Sequence, residues 1–266
     1  MKSGKGAVMA KKESTTKKPI VRRSILSDET YEMIRAMIFS HEISPGARIN
    51  IDSLAERLGV SHTPIREALA RLESENLIAK EALKGYRATD LLTIKEFADL
   101  FNFRLLIEPW AAEQASLLID AEGIKTLKGE IKKAKVALTF EGDALIEAIT
   151  EHDERFHTLI AEYSGNESVK KAFSQTHCHL HLFRLYVATQ KHLIESSDRS
   201  NFVQDLFSNY YQSDRGQLAI KQHTAIANAI TSRDSKKAKT EMHSHIESSL
   251  KRFTKDLHLA HTGTES

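Results

Sequence analysis

Cysteine is nearly absent from this chain: Cys178 is the only one in 266 residues, which excludes an internal disulfide and agrees with a reducing compartment. Proline is scarce too. Of the four, only Pro109 interrupts a stretch of helical pattern, where its missing N–H is expected to kink the helix. No apolar run approaches the roughly 20 residues that span a bilayer. No apolar stretch follows the N-terminal lysines, as a secretory leader would require. No membrane role is expected, and the cytoplasm is the expected location. Net charge is almost absent as well, at +2, so any attraction to nucleic acid must come from how charge is distributed. The 41% apolar and 28% charged residues are the composition of a soluble globular protein, and the length suffices for two domains.

The charge is unevenly placed. Residues 1–25 carry eight Lys/Arg against the single acid Glu13 and read as a basic, disordered tail, either attracting phosphates or solubilising the chain. Residues 26–90 carry eight Lys/Arg but eleven Asp/Glu, so a nucleic-acid-binding module there must present its arginines locally.

Such a presentation is legible around Gly59-Val60-Ser61-His62-Thr63-Pro64-Ile65-Arg66-Glu67-Ala68-Leu69. Leu54, Ala55 and Leu58 give a short helix one apolar face, and Gly59 can leave helical geometry at little steric cost. Ser61 or Thr63 can cap a second helix, with Pro64 in its first turn, where no N–H is needed. Ile65, Leu69 and Leu72 form its apolar side and leave Ser61, His62, Thr63, Arg66 and Arg71 toward solvent. A short helix, a tight turn and a second helix with polar N-terminal residues is the arrangement that enters a major groove of double-stranded DNA. Arg66 suits bidentate contact with a guanine edge, and Ser61 and Thr63 suit phosphate oxygens. Residues 79–87, with Lys84-Gly85-Tyr86-Arg87 at their centre, read as a two-stranded wing whose glycine turns close to a phosphate backbone.

From Thr93 onward the pattern is helical, with few β-branched alternations: a long first helix broken near residues 120–123, then stretches near 122–139, 143–163, 166–189, 214–231 and 234–257. This is the pattern of an all-α antiparallel bundle. Residues 190–213 read as an extended loop or a short helix pair. Asp153 and His157, four apart, share a helix face; His223 lies on the penultimate helix and His245 on the last. One carboxylate oxygen and three imidazole nitrogens suit a divalent first-row metal, while a surface pair is the plain alternative for Asp153 and His157. His177, His179 and His181 flank Cys178 and read as cavity lining, solvated side chains or a second metal site. Cys178 reads as a small buried hydrophobe. On helical geometry His152 and His243 should point away from the ligand face.

Taken together, Pro45-Gly46-Ala47-Arg48-Ile49, the Ser61-x-Thr63-Pro64-x-Arg66-Glu67-Ala68-Leu69 run and the glycine wing resemble the GntR family of bacterial transcription regulators. Asp153-Glu154-Arg155-Phe156-His157-x-x-Ile160, Ser164-Gly165-Asn166, His223-x-x-Ile226-x-x-Ala229-Ile230 and Ala238-x-x-x-Met242-x-x-His245-Ile246 resemble the C-terminal ligand-binding (FCD) domain of its FadR branch. The resemblance implies a mainly α chain: a winged helix-turn-helix with a small β wing over residues 26–90, an all-α effector-binding and dimerising bundle over 93–257, and a tail at 258–266. It implies a homodimer on a pseudo-palindromic operator, with DNA contacts from Arg48, Ser61, His62, Thr63, Pro64, Arg66, Lys84 and Gly85. It further implies a metal on Asp153, His157, His223 and His245, zinc first and nickel, cobalt, iron or manganese as alternatives. A small organic acid is implied beside the metal. Arg104 falls on a position that can clamp its carboxylate, though a salt bridge to Glu108 on the same helix serves equally well as an account of it.

The chain departs from the commonest family pattern at His62, where arginine is frequent, and in its long 190–213 segment. A regulator with a structural or sensed metal is the first alternative. A metal-dependent enzyme is the second and weaker one, because Glu154-x-x-His157 has no second Glu-x-x-His nearby and no nucleophile or base accompanies the ligands.

Overall fold

The computed structural model describes residues 20–190 and 216–254. Helix α1 (Ile20–Phe39) starts inside the stretch expected as a disordered tail; the rest of that tail, residues 190–213 for the most part and the C-terminal tail lie outside the described residues. After α1 come β1 (Arg48–Ile49), α2 (Ile51–Leu58), α3 (His62–Ser74), β2 (Ile78–Glu81) and β3 (Gly85–Ala88).

The turn chemistry anticipated around Gly59 is present. Asn50 caps α2 by accepting from the N–H groups of Asp52 and Ser53, and Gly59 ends it at φ 66°, a left-handed conformation glycine adopts without a Cβ penalty. Helix α3 begins after Ser61, whose backbone is extended but whose side chain makes no capping bond. The three strands form an antiparallel sheet in the order β1-β3-β2, with Arg48 opposite Arg87 and Lys80 opposite Tyr86. The wing turn places Leu83 (φ 62°) fully exposed at its tip before Gly85 (φ 87°). Beneath the sheet, Ile34 and Ile38 of α1 bury against Ile65, Leu69 and Leu72 of α3, all at 0% exposure. Burial at that level contributes roughly 1.5–3 kcal/mol per side chain.

The second half is helical throughout its described residues: α4 (Ile94–Leu118), α5 (Ala121–Ala137), α6 (Gly142–Tyr163), α7 (Glu167–Ser174), α8 (Cys178–Gln190), α9 (Gln217–Thr231) and α10 (Ser235–Thr254). Thr93 and Glu96 close a capping box on α4, which continues through Pro109. Helix α10 packs chiefly along α4, and α5, α6 and α9 complete the layer around Phe97, Phe156, Ile226 and Met242. The single helix expected over 166–189 is two. Gln175 ends α7, and His177 at φ 42° interrupts the helical path before α8 begins. No helix among the described residues is long and apolar enough to cross a membrane.

The two halves touch through α8. Phe183 packs against both apolar cores, and the fully buried Arg184 donates to Thr89 Oγ1 (3.1 Å) and to the Thr89 carbonyl (2.6 Å). Its own carbonyl lies 2.6 Å from His41 Nε2 at the end of α1.

Candidate functional site

The polar face of the winged helix is built by α3. Its buried stripe of Ile65, Ala68, Leu69 and Leu72 turns Ser61, His62, Thr63 and Arg66 outward, and all four are exposed. Pro64, expected among the contact residues, is buried: it sits in the first turn of the helix and offers no outward surface. Arg48, Lys84 and Gly85 are exposed on the sheet side. The acids that outnumber bases here are largely spent on pairing. Asp28 and Glu75 hold Arg71, Glu42 holds Arg57, and Asp90 and Glu81 hold Arg87. Arg71, expected toward solvent, is exposed and also lies over the Tyr31 ring at 3.7 Å. His62 sits 3.1 Å from Asp52, and Lys84 3.8 Å from Glu81. Among the described residues, Arg48 and Arg66 are held by no acid.

The second cluster is buried. Helix α6 carries Asp153 and His157 one turn apart, α9 carries His223 and α10 carries His245, all within 3% exposure. His157, His223 and His245 each offer a nitrogen within 4.8 Å of the others. His223 Nε2 and His245 Nε2 are 3.2 Å apart, close to the roughly 3.3 Å between two nitrogens bound at about 2.0–2.1 Å to one tetrahedral metal. Asp153 is not in that triplet. Its Oδ1 stands 3.7 Å from His223 Nδ1, grouped with His152 on the other side of the same ring. Three of the four expected ligands therefore converge, and the fourth adjoins them through His223.

Each imidazole of the triplet is anchored from behind. His157 Nδ1 meets Glu108 Oε2, His245 Nδ1 lies 2.9 Å from Gln222 Oε1, and His223 Nδ1 lies 3.0 Å from His152 Nε2. Phe156 stacks on His223 with centroids 4.2 Å apart. Burial, reinforced by the neighbouring imidazoles His245 and His157, holds the His223 pKa well below the usual range, so its ring is neutral near pH 7, as a metal ligand must be. Burial, with Arg104 and then His157 beside it, depresses His179 likewise.

Arg104 is buried against this cluster. It pairs with Glu108 through Nε, donates to Cys178 Sγ at 3.3 Å, and lies 3.4 Å from both His157 nitrogens. Of the two accounts of Arg104 left open by the sequence, the salt bridge to Glu108 is present, and the same guanidinium also borders the histidine cluster. Burial alone would raise the Glu108 pKa, but Arg104 and His157 outweigh it and hold it at about 2.

Several residues here were missed or misread in the sequence. His152, expected to face away, is fully buried beside His223, because it follows Ile149 by three and precedes Phe156 by four on the same inward stripe. Glu130 occupies the apolar stripe of α5 with Leu127, Ile131 and Ala134. That misplaced charge was the readable signal. Of the three histidines around Cys178, His179 lines the cluster, 5.2 Å from the His157 ring, while His177 and His181 are only partly buried. His243 is exposed, as expected.

The chain matches the sequence model of the bacterial regulatory proteins of the gntR family over residues 26–88 and that of the FCD domain over residues 99–248. It belongs to the GntR family. Among its relatives, the HTH-type transcriptional regulator YdhC of Bacillus subtilis is 30% identical over 166 residues, covering 62% of this chain and 73% of YdhC. The Uxu operon regulator of Haemophilus influenzae is 27% identical over 205 residues, 73% of this chain and 68% of that protein. The fold is shared with McbR/YncC of E. coli (16% identity, TM-score 0.61, 87% of this chain and 98% of that one). It is also shared with Lar of Listeria monocytogenes (14% identity, TM-score 0.56, 86% and 97%). This GntR-family chain is therefore a DNA-binding transcription regulator and not an enzyme, with α3 inside the gntR match and Arg104, Asp153, His157, His223 and His245 inside the FCD match.

Proposed function

We propose that this regulator binds a pseudo-palindromic operator as a homodimer, and that a small organic acid held at a divalent first-row metal in the FCD domain alters how its two DNA-binding modules are presented. The observation that carries the reading is the convergence of three buried imidazoles, with His223 and His245 nitrogens at 3.2 Å. His157, His223 and His245 would hold the metal with Asp153 beside them. Zinc fits this nitrogen-rich set, and nickel, cobalt, iron and manganese compete according to availability. The bound metal would supply open coordination positions for a carboxylate, and Arg104 would border it. On DNA, Arg66 at the start of α3 would read a base edge, with Ser61, His62 and Thr63 on adjacent edges or phosphates and Arg48, Lys84 and Gly85 against the backbone.

A route between the two sites is supported by α8. Its first turn holds Cys178 and His179 against Arg104 and His157, and Phe183 and Arg184 further on hold His41, just past α1, and Thr89, at the start of the segment 89–93 that joins β3 to α4. An acid bound more tightly in one setting of α8 than in another would shift the population of module orientations.

The test uses the full chain, stripped by chelation and reloaded with Zn(II), Ni(II), Co(II) or Mn(II), and an operator selected from random duplex DNA. One metal per chain, lost in His223→Ala, and an operator affinity that citrate or lactate changes only in the metal-loaded form are the expected results. A chain that retains no metal overturns the centre. An affinity that responds to the metal and to no carboxylate makes the metal itself the signal.

A further inference from the structure

Two buried side chains outside the proposed ligand set form a chain of hydrogen bonds that ends on His223. Glu130 Oε1 lies 2.9 Å from His152 Nδ1, and His152 Nε2 lies 3.0 Å from His223 Nδ1. Arg155 closes the chain from the surface, donating through Nε to Glu130 Oε2 at 3.2 Å and through Nη2 to Oε1 at 3.3 Å.

With His152 carrying a single ring proton, the carboxylate end orients the chain. An ionised carboxylate only accepts. Burial would raise the Glu130 pKa, but His152 and Arg155 hold it below the usual range, so it is ionised near pH 7. His152 Nδ1 therefore donates, and a neutral imidazole then has only a lone pair at Nε2. That lone pair accepts from His223 Nδ1–H, which leaves His223 Nε2 as a lone pair facing His245 Nε2. Gln222 Oε1, an acceptor, fixes His245 in the same sense.

A purely structural role does not explain the arrangement. A buried charge network is seldom more stable than an apolar packing of equal volume, and α5 offers Glu130 a stripe that is otherwise apolar apart from glycine. We propose that Glu130 and His152 are positioning residues that fix His223 in its Nδ1–H tautomer and thereby set how tightly the centre holds its metal, with Arg155 anchoring them from the surface. The affinity half rests on the metal reading above; the tautomer half does not.

The experiment has two arms, both on the full chain. In metal-free protein with 15N-labelled histidine, long-range 1H–15N spectra should show His223 protonated at Nδ1, and His152→Phe should give a mixture of tautomers. In the second arm, Zn(II) is titrated against a chromophoric chelator. His152→Phe should bind ten- to a hundredfold more weakly, the range expected when a ligand's outer hydrogen-bond partner is lost. Arg155→Gln, at a half-exposed site, should lose several-fold with an unchanged urea midpoint.

An Nε2–H tautomer in the parent protein overturns the proposal. So does wild-type affinity in both variants when His223→Ala has lost its metal. Should His152→Phe not fold, Arg155→Gln decides alone, and wild-type affinity there overturns the proposal. Failure of the parent protein to bind Zn(II) overturns the metal reading and the affinity half with it, while the tautomer spectrum still decides the other half.

Discussion

Arg66 and Arg104 carry the same side chain in the two halves of the molecule and are treated in opposite ways. Arg66 projects from the first turns of α3 into solvent, held by no acid among the described residues. Arg104 is 2% exposed and is bound to Glu108, to Cys178 and along the face of His157. A module whose partner is a large polyanion leaves its charge outside, where water still stabilises it until the partner arrives. A bundle whose partner is small must bury its charges, and every buried charge needs a partner built into the fold. The near-zero net charge of the chain conceals both arrangements.

Deleting each arginine should separate the two regimes, and the larger effect belongs to the buried one. Arg104→Met leaves Glu108 inside with only His157 to hold it, and breaking a buried pair costs about 3–5 kcal/mol. That loss should appear in urea unfolding of the bundle followed by far-UV circular dichroism. A loss below about 1 kcal/mol would mean that Glu108 is stabilised without Arg104, and the contrast between the halves would fail. Arg66→Ala should change stability by no more than about 0.5 kcal/mol. It should instead weaken specific operator binding by about 1–3 kcal/mol per recognition helix and relax the base preference at one position of each half-site. Unchanged operator affinity would remove Arg66 from the recognition surface.

The same contrast governs what could be read in the sequence. The winged helix was legible because its local chemistry is dictated locally: Gly59 ends α2, Pro64 sits in the first turn of α3, and Ile65, Leu69 and Leu72 fix which side is buried. Pro64, inside the same motif, is buried in the first turn of α3 where an outward position was expected. In the bundle, the i,i+4 pair Asp153 and His157 and the resemblance pointed to the helices on which His157, His223 and His245 converge. The hydrogen-bond partners around them come from chain segments 22 to 71 positions apart, as with His152, a neighbour of Asp153, which meets Glu130 and His223. No periodicity within one helix shows such pairs. The exception is Glu130, a carboxylate on an apolar stripe, which announces a buried partner without naming it. The break between α7 and α8 was missed because it depends on His177 at positive φ, where neither glycine nor proline marks the turn.

The smallest expected effect concerns Cys178, where the two regimes compete at one atom. A guanidinium next to a thiol ordinarily favours the thiolate, and Arg104 stands 3.3 Å from Cys178 Sγ. Burial acts the other way and prevails: it pushes the thiol up to about 11 from an ordinary value of 9.0, against the pull of Arg104. Because the raised value favours the protonated form, the thiolate fraction at pH 9 is on the order of one part in a hundred, and it grows only as pH approaches the shifted value. Iodoacetamide at pH 8 to 9 should therefore leave the native chain unlabelled over the time in which the urea-unfolded chain reacts fully, with mass spectrometry as the readout. Arg104→Met should raise the native rate, because the weakened bundle opens more often, even though loss of the guanidinium disfavours the thiolate. A lower rate in that variant would mean that charge, rather than access, limits the reaction; a parent rate equal to that of an unfolded thiol would mean that the interior around Cys178 is open to solvent.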